Sequence, residues 1–286
     1  MNQSKVLGKK DEASEDFINY LFEEGGLENP VVDRFHYDIL KKVWVTTCHY
    51  QCDDVNNIDI SEITAKEQPF LDDLRERVEF EQHIFLHPEI IRSEEEKIIF
   101  FRNGIKKEVT FREASDLFRQ HNNQCVTHHQ KRTGDPWSFP LKIQNDFSKI
   151  LLRGDVTYGT NMDCIFYSEK HQRHICMEFL LCEEQQRVTP HTSHPNRYWN
   201  KNKQKFMSIY SIQEYFKIPL LLVNYAKEGT RHAEEILVMQ IEGIDKNDVN
   251  PLLTKNYPTT REKFQQSIRM ERASKKTLSA GQAKKL

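Results

Sequence analysis

Apolar and polar positions along the chain alternate between a helical and an extended rhythm. In "SEDFINYLFEEGG", Phe17, Ile18 and Leu21 recur at helical spacing behind a Ser14 cap and ahead of Gly25-Gly26, which predicts a short first helix. The β-branched and aromatic residues of "DILKKVWVTTCHYQC" predict a strand. In "EQPFLDDLRERVEFEQHIFLHPEII", Phe70, Leu71, Leu74, Val78 and Phe85 keep near a 3.6-residue period and predict one helix ended by Pro88. Asn103-Gly104 stands between two strand-like runs, a strong hairpin signal, and "REASDLFRQHNN" follows as a short helix.

From His121 to Pro140 the chain turns polar and carries Gly134, Pro136 and Pro140, which predicts a domain boundary near residue 136. Beyond it come a helix (Lys142 to Leu152) and three strands (Asp155 to Tyr158, Met162 to Ser168, Arg173 to Cys182). A polar insertion, a long helix (about Tyr198 to Phe216) and the strands "IPLLLVNY" and "EILVMQIEGI" complete the order. The expected architecture is α/β, an α-β-β-β-α-β core with one further strand around a mixed sheet. A smaller α+β N-terminal domain over residues 1–135 precedes this core of residues 136–250. Residues 251–286 hold nine Lys or Arg against Glu262 and Glu271 and read as a helical or disordered basic tail. No internal repeat is visible.

Two acids break the apolar pattern of the second and third core strands. If "EKHQ" (169–172) is the turn, Ser168 pairs with Arg173 and Asp163 falls opposite Glu178. Directly opposed like charges on one sheet face repel. A shared proton, a Lys or Arg such as Arg153 or Arg173, or a divalent cation compensates such a pair. Mg²⁺ or Mn²⁺ held by two strand carboxylates activates water for attack on phosphate.

With "GTNMDCIFYS", "RHICMEFLL" and this order of elements, the chain resembles the PD-(D/E)xK nuclease superfamily over roughly Lys142 to Ile244. The resemblance implies a restriction-endonuclease-like core in which Asp163, Glu178 and the Phe179 backbone carbonyl bind Mg²⁺ or Mn²⁺. It also implies a lysine two residues after the glutamate, where this chain has Leu180. Some members supply that lysine from the following helix. With Phe206, Ile209, Ile212 and Phe216 as the buried stripe, Lys205 lies on the stripe's edge and is the substitute, with Lys203 next, while Lys201 and Gln204 fall outside. A lysine snorkelling at a helix edge gives the same pattern. Asp146 would be a third carboxylate if its helix face turned inward.

Other constellations compete. Cys48 and Cys52 around His49, with His83 and His87, have the donor types of a zinc site, and Cys125 with His128 and His129 has those of a second group. Buried cysteines and surface histidines explain the same residues. The insertion "TPHTSHPNRYW" brings His191, His194, Arg197 and Trp199 beside the acids, as a nucleic-acid contact or a packed loop. Arg197, Lys201, Lys203, Arg269, Arg272, Lys275 and Lys276 are the candidate phosphate contacts, and Arg261 and Lys263 belong to the same basic tail.

Composition narrows the field. With 41 Lys and Arg against 43 Asp and Glu, a net charge of -2, any nucleic-acid surface is a local patch. Irregularly spaced cysteines, no apolar leader and no long apolar run predict an intracellular protein, of cytoplasm or nucleus, with reduced thiols and no membrane contact. No phosphate loop, nucleophile elbow or dinucleotide fingerprint occurs. The expected function is a metal-dependent endonuclease acting on DNA ahead of RNA, alone or as a homodimer. The alternatives are a catalytically inactive nuclease-like module binding nucleic acid or a protein partner, and a zinc-stabilised interaction scaffold.

Overall fold

The computed structural model describes residues 12–22, 32–38, 40–52, 59–65, 68–122, 136–143, 147–152, 159–183 and 187–272. These form two compact units with mixed α/β architecture. Unit 1 draws its described residues from Pro30–Asn161, and unit 2 from Lys10–Asn29 and Met162–Leu286. The division thus falls after Asn161 rather than near residue 136.

In unit 1, β1 (Arg34–Asp38) and β2 (Val43–Gln51) form a hairpin, and α2 (Ile60–Thr64) and α3 (Gln68–Arg75) cross to β3 (Glu81–His87), parallel to β2. The short β4 (Ile90–Ile91), β5 (Lys97–Arg102) and β6 (Ile105–Thr110) follow, then α4 (Phe111–Gln120), β7 (His121–Asn122), β8 (Leu141–Lys142) and α5 (Phe147–Leu152). The main sheet runs β6-β5-β3-β2-β1-β7. The predicted β5–β6 hairpin is present, with Asn103 (φ 49°) and Gly104 (φ 81°) supplying the two positive-φ positions that a tight hairpin turn requires.

The single helix expected across residues 67–91 is instead α3 followed by β3. β3 is a central strand, parallel to one neighbour, antiparallel to the other and buried from Gln82 to His87. Covering both faces removes the alternation that would distinguish a strand from a helix. The expected helix of residues 142–152 begins only at Phe147 and belongs to unit 1, where Phe147 and Leu151 join Phe111, Ala114 and Phe118 of α4. Leu141–Lys142 pairs with β4.

In unit 2, β9 (Cys164–Ser168) and β10 (Arg173–Leu181) form a hairpin, a single 3-10 turn (Pro195–Tyr198) leads into α6 (Trp199–Phe216), and β11 (Leu220–Tyr225) lies parallel to β10. β12 (Glu235–Ile244) and β13 (Leu252–Thr260) add antiparallel strands, α7 (Arg261–Arg272) follows, and the order is β13-β12-β11-β10-β9. Residues 252–272 are therefore a strand and a docked helix rather than a basic tail. Phe264 and Ile268, one helical turn apart, bury against the sheet together with α1 (Glu12–Phe22). Buried Arg261 donates to the carbonyls of Ala233 (3.0 Å) and Ala226 (2.7 Å), which makes it a structural cation. The expected strand of residues 155–158 lies outside the described residues.

The two units repeat one plan: hairpin, helical crossover, parallel strand, two antiparallel strands, helix. Between β1–β2 and β9–β10 the correspondence runs without insertion. Asp38 pairs with Val43 as Ser168 pairs with Arg173, and Lys42 (φ 57°) and Gln172 (φ 50°) close the two turns. Gln51 pairs with His87 as Leu181 pairs with Tyr225, and His83 with Arg102 as Leu221 with Gln240. At the final helix, Thr110 Oγ1 accepts from Glu113 N (3.0 Å) as Thr260 Oγ1 does from Lys263 N (3.3 Å). The two units are thus a structural duplication, one topology and register occurring twice, where the sequence showed no repeat.

The helices that lead each copy are exchanged. α1 precedes β1 along the chain but packs in unit 2, where Phe17 stacks on Tyr225 (centroids 4.4 Å, interplanar 9°) and meets Phe179 edge-on (5.3 Å, 85°). α5 precedes β9 but packs in unit 1, where Phe147 stacks on His87 (4.3 Å, 12°) and lies 5.3 Å from the His49 ring. Tyr225 and His87 are equivalent positions, as are Phe179 and His49.

The substitution of histidine for tyrosine at this seat has a pH consequence. Burial, aided by the neighbouring His49, lowers the His87 pKa to about 3, against the opposing Pro88 carbonyl and Asp33. The unfolded chain therefore takes up a proton near the ordinary histidine value that the folded chain refuses. Unit 1 loses stability as pH falls from about 6.5 toward 3. His87→Phe should flatten that acid limb, as followed by hydrogen exchange in β2 and β3 between pH 7 and 4.

Candidate functional site

The antiparallel ladder of β9 and β10 runs from Arg173↔Ser168 to Met177↔Cys164, the register expected from the turn "EKHQ". The next position on each side is Asp163 and Glu178. Alternation sends Cys164, Phe166, Ile175, Met177 and Phe179 to the face covered by α1 and α7. Glu178 takes the other face, that of α6, and is 4 % exposed.

From α6, Lys205 Nζ reaches Glu178 Oε1 at 2.5 Å, although its side chain as a whole is 44 % exposed. Burial pulls the lysine pKa down, but the Glu178 carboxylate, as charge and as hydrogen-bond acceptor, and the charge of Asp163 outweigh it and hold it above its ordinary value. Lys205 thus lies in the field of both acids. The stripe that sets its direction is as expected, with Phe206, Ile209, Ile212 and Phe216 buried and Lys201, Lys203 and Gln204 exposed.

Asp163 Oδ2 accepts the Phe179 backbone N–H at 2.8 Å. This bracket fixes the start of β9 against β10 and leaves no trace in the residue pattern. In an extended strand the N–H and C=O of one residue project toward the same edge, so the Phe179 carbonyl faces the side on which Asp163 lies. Two carboxylates and a carbonyl are hard oxygen donors, the set that suits Mg²⁺ or Mn²⁺ rather than a soft metal.

The remaining candidates separate. Arg197, beside the start of α6, donates to the Thr192 carbonyl (3.2 Å), and exposed Lys201 and Lys203 follow on its first two turns. Arg269 and Arg272 lie on α7, against the opposite face of the sheet, with the Arg272 guanidinium 5.3 Å from the Phe22 ring. Lys275, Lys276, Asp146, Arg153, Cys125, His128 and His129 lie outside the described residues. The insertion is a packed loop: His191 bonds the Ile236 and Thr259 carbonyls (3.1 Å each), and His194 Nε2 meets Thr254 Oγ1 at 2.8 Å. Burial lowers the His194 pKa.

The zinc grouping takes a different form from that expected, since His83 and His87 lie in β3 rather than on a helix, and both are buried. The side chains of Cys48, Cys52, Cys164, Cys176 and Cys182 are buried. Among the described residues no three His, Cys, Asp or Glu side chains gather in a metal-binding group, and no helix is long and apolar enough to cross a membrane.

The chain matches no family model, no curated protein and no solved structure.

Proposed function

We propose that the chain is a metal-dependent nuclease hydrolysing phosphodiester bonds, in DNA ahead of RNA, through Asp163, Glu178 and Lys205. The observation that carries this reading is the convergence of a lysine from the crossover helix on Glu178, with Asp163 next in register beside it. A restriction-endonuclease-like reading of unit 2 is supported by the β9–β10 hairpin and the β10–α6–β11 parallel crossover. Lys205 takes the place left by Leu180. Asp163, Glu178 and the Phe179 carbonyl would hold Mg²⁺ or Mn²⁺, which when bound lowers the pKa of water and offsets charge on the phosphate. Lys205 orients the attacking water oxygen, which gives up a proton to solvent as its bond to phosphorus forms and the phosphorus–oxygen bond to the leaving sugar breaks, the leaving alkoxide taking a proton from solvent in turn. Arg197, Lys201 and Lys203 stand on the same helix entry as Lys205 and supply backbone phosphate contacts. Arg269 and Arg272 serve another surface.

Mn²⁺-dependent cleavage of plasmid and single-stranded DNA by wild type, Asp163→Ala and Glu178→Gln tests this. Activity lost in both variants, with their fold retained, is the expected result. Equal activity in all three removes these residues from the mechanism.

A nuclease-like module without catalysis is favoured by one specific observation. In unit 1, Asp33 Oδ2 accepts His49 N at 2.6 Å, sixteen residues on, as Asp163 does from Phe179, although Cys48 stands opposite. The aspartate bracket therefore serves the fold even without a second acid. Calorimetric titration separates the readings: Mn²⁺ binding abolished by Glu178→Gln supports the enzyme, and no binding at millimolar Mn²⁺ supports the module.

A further inference from the structure

We infer that unit 1 is a copy of the site-bearing fold whose counterpart of the acid pair is not hydrolytic, so that each chain has one hydrolytic centre and cuts one nucleic-acid strand per encounter. This rests on the function proposed above for Asp163, Glu178 and Lys205. The duplication permits a comparison position by position. Arg34 pairs with Thr47 as Cys164 pairs with Met177, so the next positions, Asp33 and Cys48, correspond to Asp163 and Glu178. Both aspartates bond the backbone N–H sixteen residues on. Both partner positions are buried, Cys48 at 1 % and Glu178 at 4 % exposure.

The chemistry of the two positions differs. Cys48 offers a buried thiol in place of a carboxylate, a soft donor unsuited to Mg²⁺ or Mn²⁺. The crossover carrying Lys205 in unit 2 corresponds in unit 1 to α2, α3 and their connections. The cations described there, Arg75 and Arg77, are engaged elsewhere: Arg75 bonds Asp72 (3.0 Å) and Gln82 (2.7 Å), and Arg77 bonds Asp73. Asp33 has the His49 ring 3.9 Å away instead of a second acid. The aspartate bracket persists in both copies, while the carboxylate at the partner position occurs in one and, among the described crossover residues, so does the lysine that meets it.

A duplicated nuclease with two working centres can break both strands of a duplex in one encounter, whereas a single centre yields a nick or cuts a single strand. The substrate class of this chain is therefore one strand at a time, within a duplex or free. Two measurements on the full chain test this: Mn²⁺ titration of wild type, Glu178→Gln and Cys48→Ser, and a time course on supercoiled plasmid at concentrations where the chain is monomeric. All Mn²⁺ binding lost in Glu178→Gln and kept in Cys48→Ser, with nicked circles accumulating before linear DNA, supports the inference. Binding that survives Glu178→Gln, or linear product growing from the first time points alongside nicked circles, overturns it and leaves nuclease activity standing. No Mn²⁺ binding by wild type removes the proposed site itself, and the single-centre inference with it.

Discussion

Phe17→Ala destabilises unit 2 by about 3–5 kcal/mol, the usual cost of truncating a buried phenylalanine, and leaves unit 1 at its wild-type stability. Phe17 is 1 % exposed, stacked on Tyr225, edge-on to Phe179 and 5.2 Å from the Arg261 guanidinium. Truncation empties the seat and loosens β10, the strand that carries Glu178 and the backbone N–H bonded by Asp163. Hydrogen exchange at Arg173–Leu181 and Leu220–Tyr225 should accelerate while Val43–Gln51 stays protected. Phe147→Ala should give the mirror image, loosening β2 and β3 of unit 1. If Phe17→Ala instead exposed β1 and β2, the strands next to it in sequence, the exchanged arrangement of the leading helices would be wrong.

Lys205→Met is the second large effect, and its two readouts separate charge balance from catalysis. The substitution leaves Glu178 buried without its ammonium. Removing one partner of a fully buried pair costs about 3–5 kcal/mol, but Lys205 is 44 % exposed and solvent screens part of its contribution, so a smaller loss is expected. Because attraction to Glu178 and Asp163 more than offsets burial and raises the lysine pKa, the pair's stabilisation is fully present below the ordinary lysine value of 10.5. It is lost only as pH rises through the still higher folded value. Stability from this pair should therefore be flat from pH 6 to 9. Cleavage, in contrast, should fall about 10²–10³-fold, as when one preorganised electrostatic donor is removed. Single-turnover rates at saturating Mn²⁺, measured beside thermal unfolding, check both. Unchanged cleavage would make Lys205 a charge partner only.

What the sequence discloses depends on whether a local rule governs the feature. The β9–β10 register was legible because a four-residue polar turn between two largely apolar runs favours one pairing, and that pairing placed Asp163 and Glu178 together. The Asn103-Gly104 turn was legible because few residues accept two consecutive positive φ values. β3 was not, since "HIFLH" is buried on both faces and its apolar positions fit a helix as well as a strand. Residues 252–272 looked like a tail because β13 is an edge strand exposed along most of its length and α7 is held by few apolar side chains. The duplication was hidden by divergence. Phe17 and Phe147, Leu21 and Leu151, Asp33 and Asp163, Tyr37 and Tyr167, and Cys52 and Cys182 agree, while many positions between them exchange an apolar for a polar residue, as Trp44 and His174 or Cys48 and Glu178 do. Nothing local specifies which sheet a leading helix will choose.

The most direct test of the central claim is a crystal structure of the full chain soaked in Mn²⁺, with anomalous scattering recorded at the manganese edge. A peak bonded by Asp163, Glu178 and the Phe179 carbonyl, with none beside Asp33 and Cys48, is the predicted result. Lys205 still seated on Glu178 at saturating Mn²⁺, with no peak at the two acids, would contradict it.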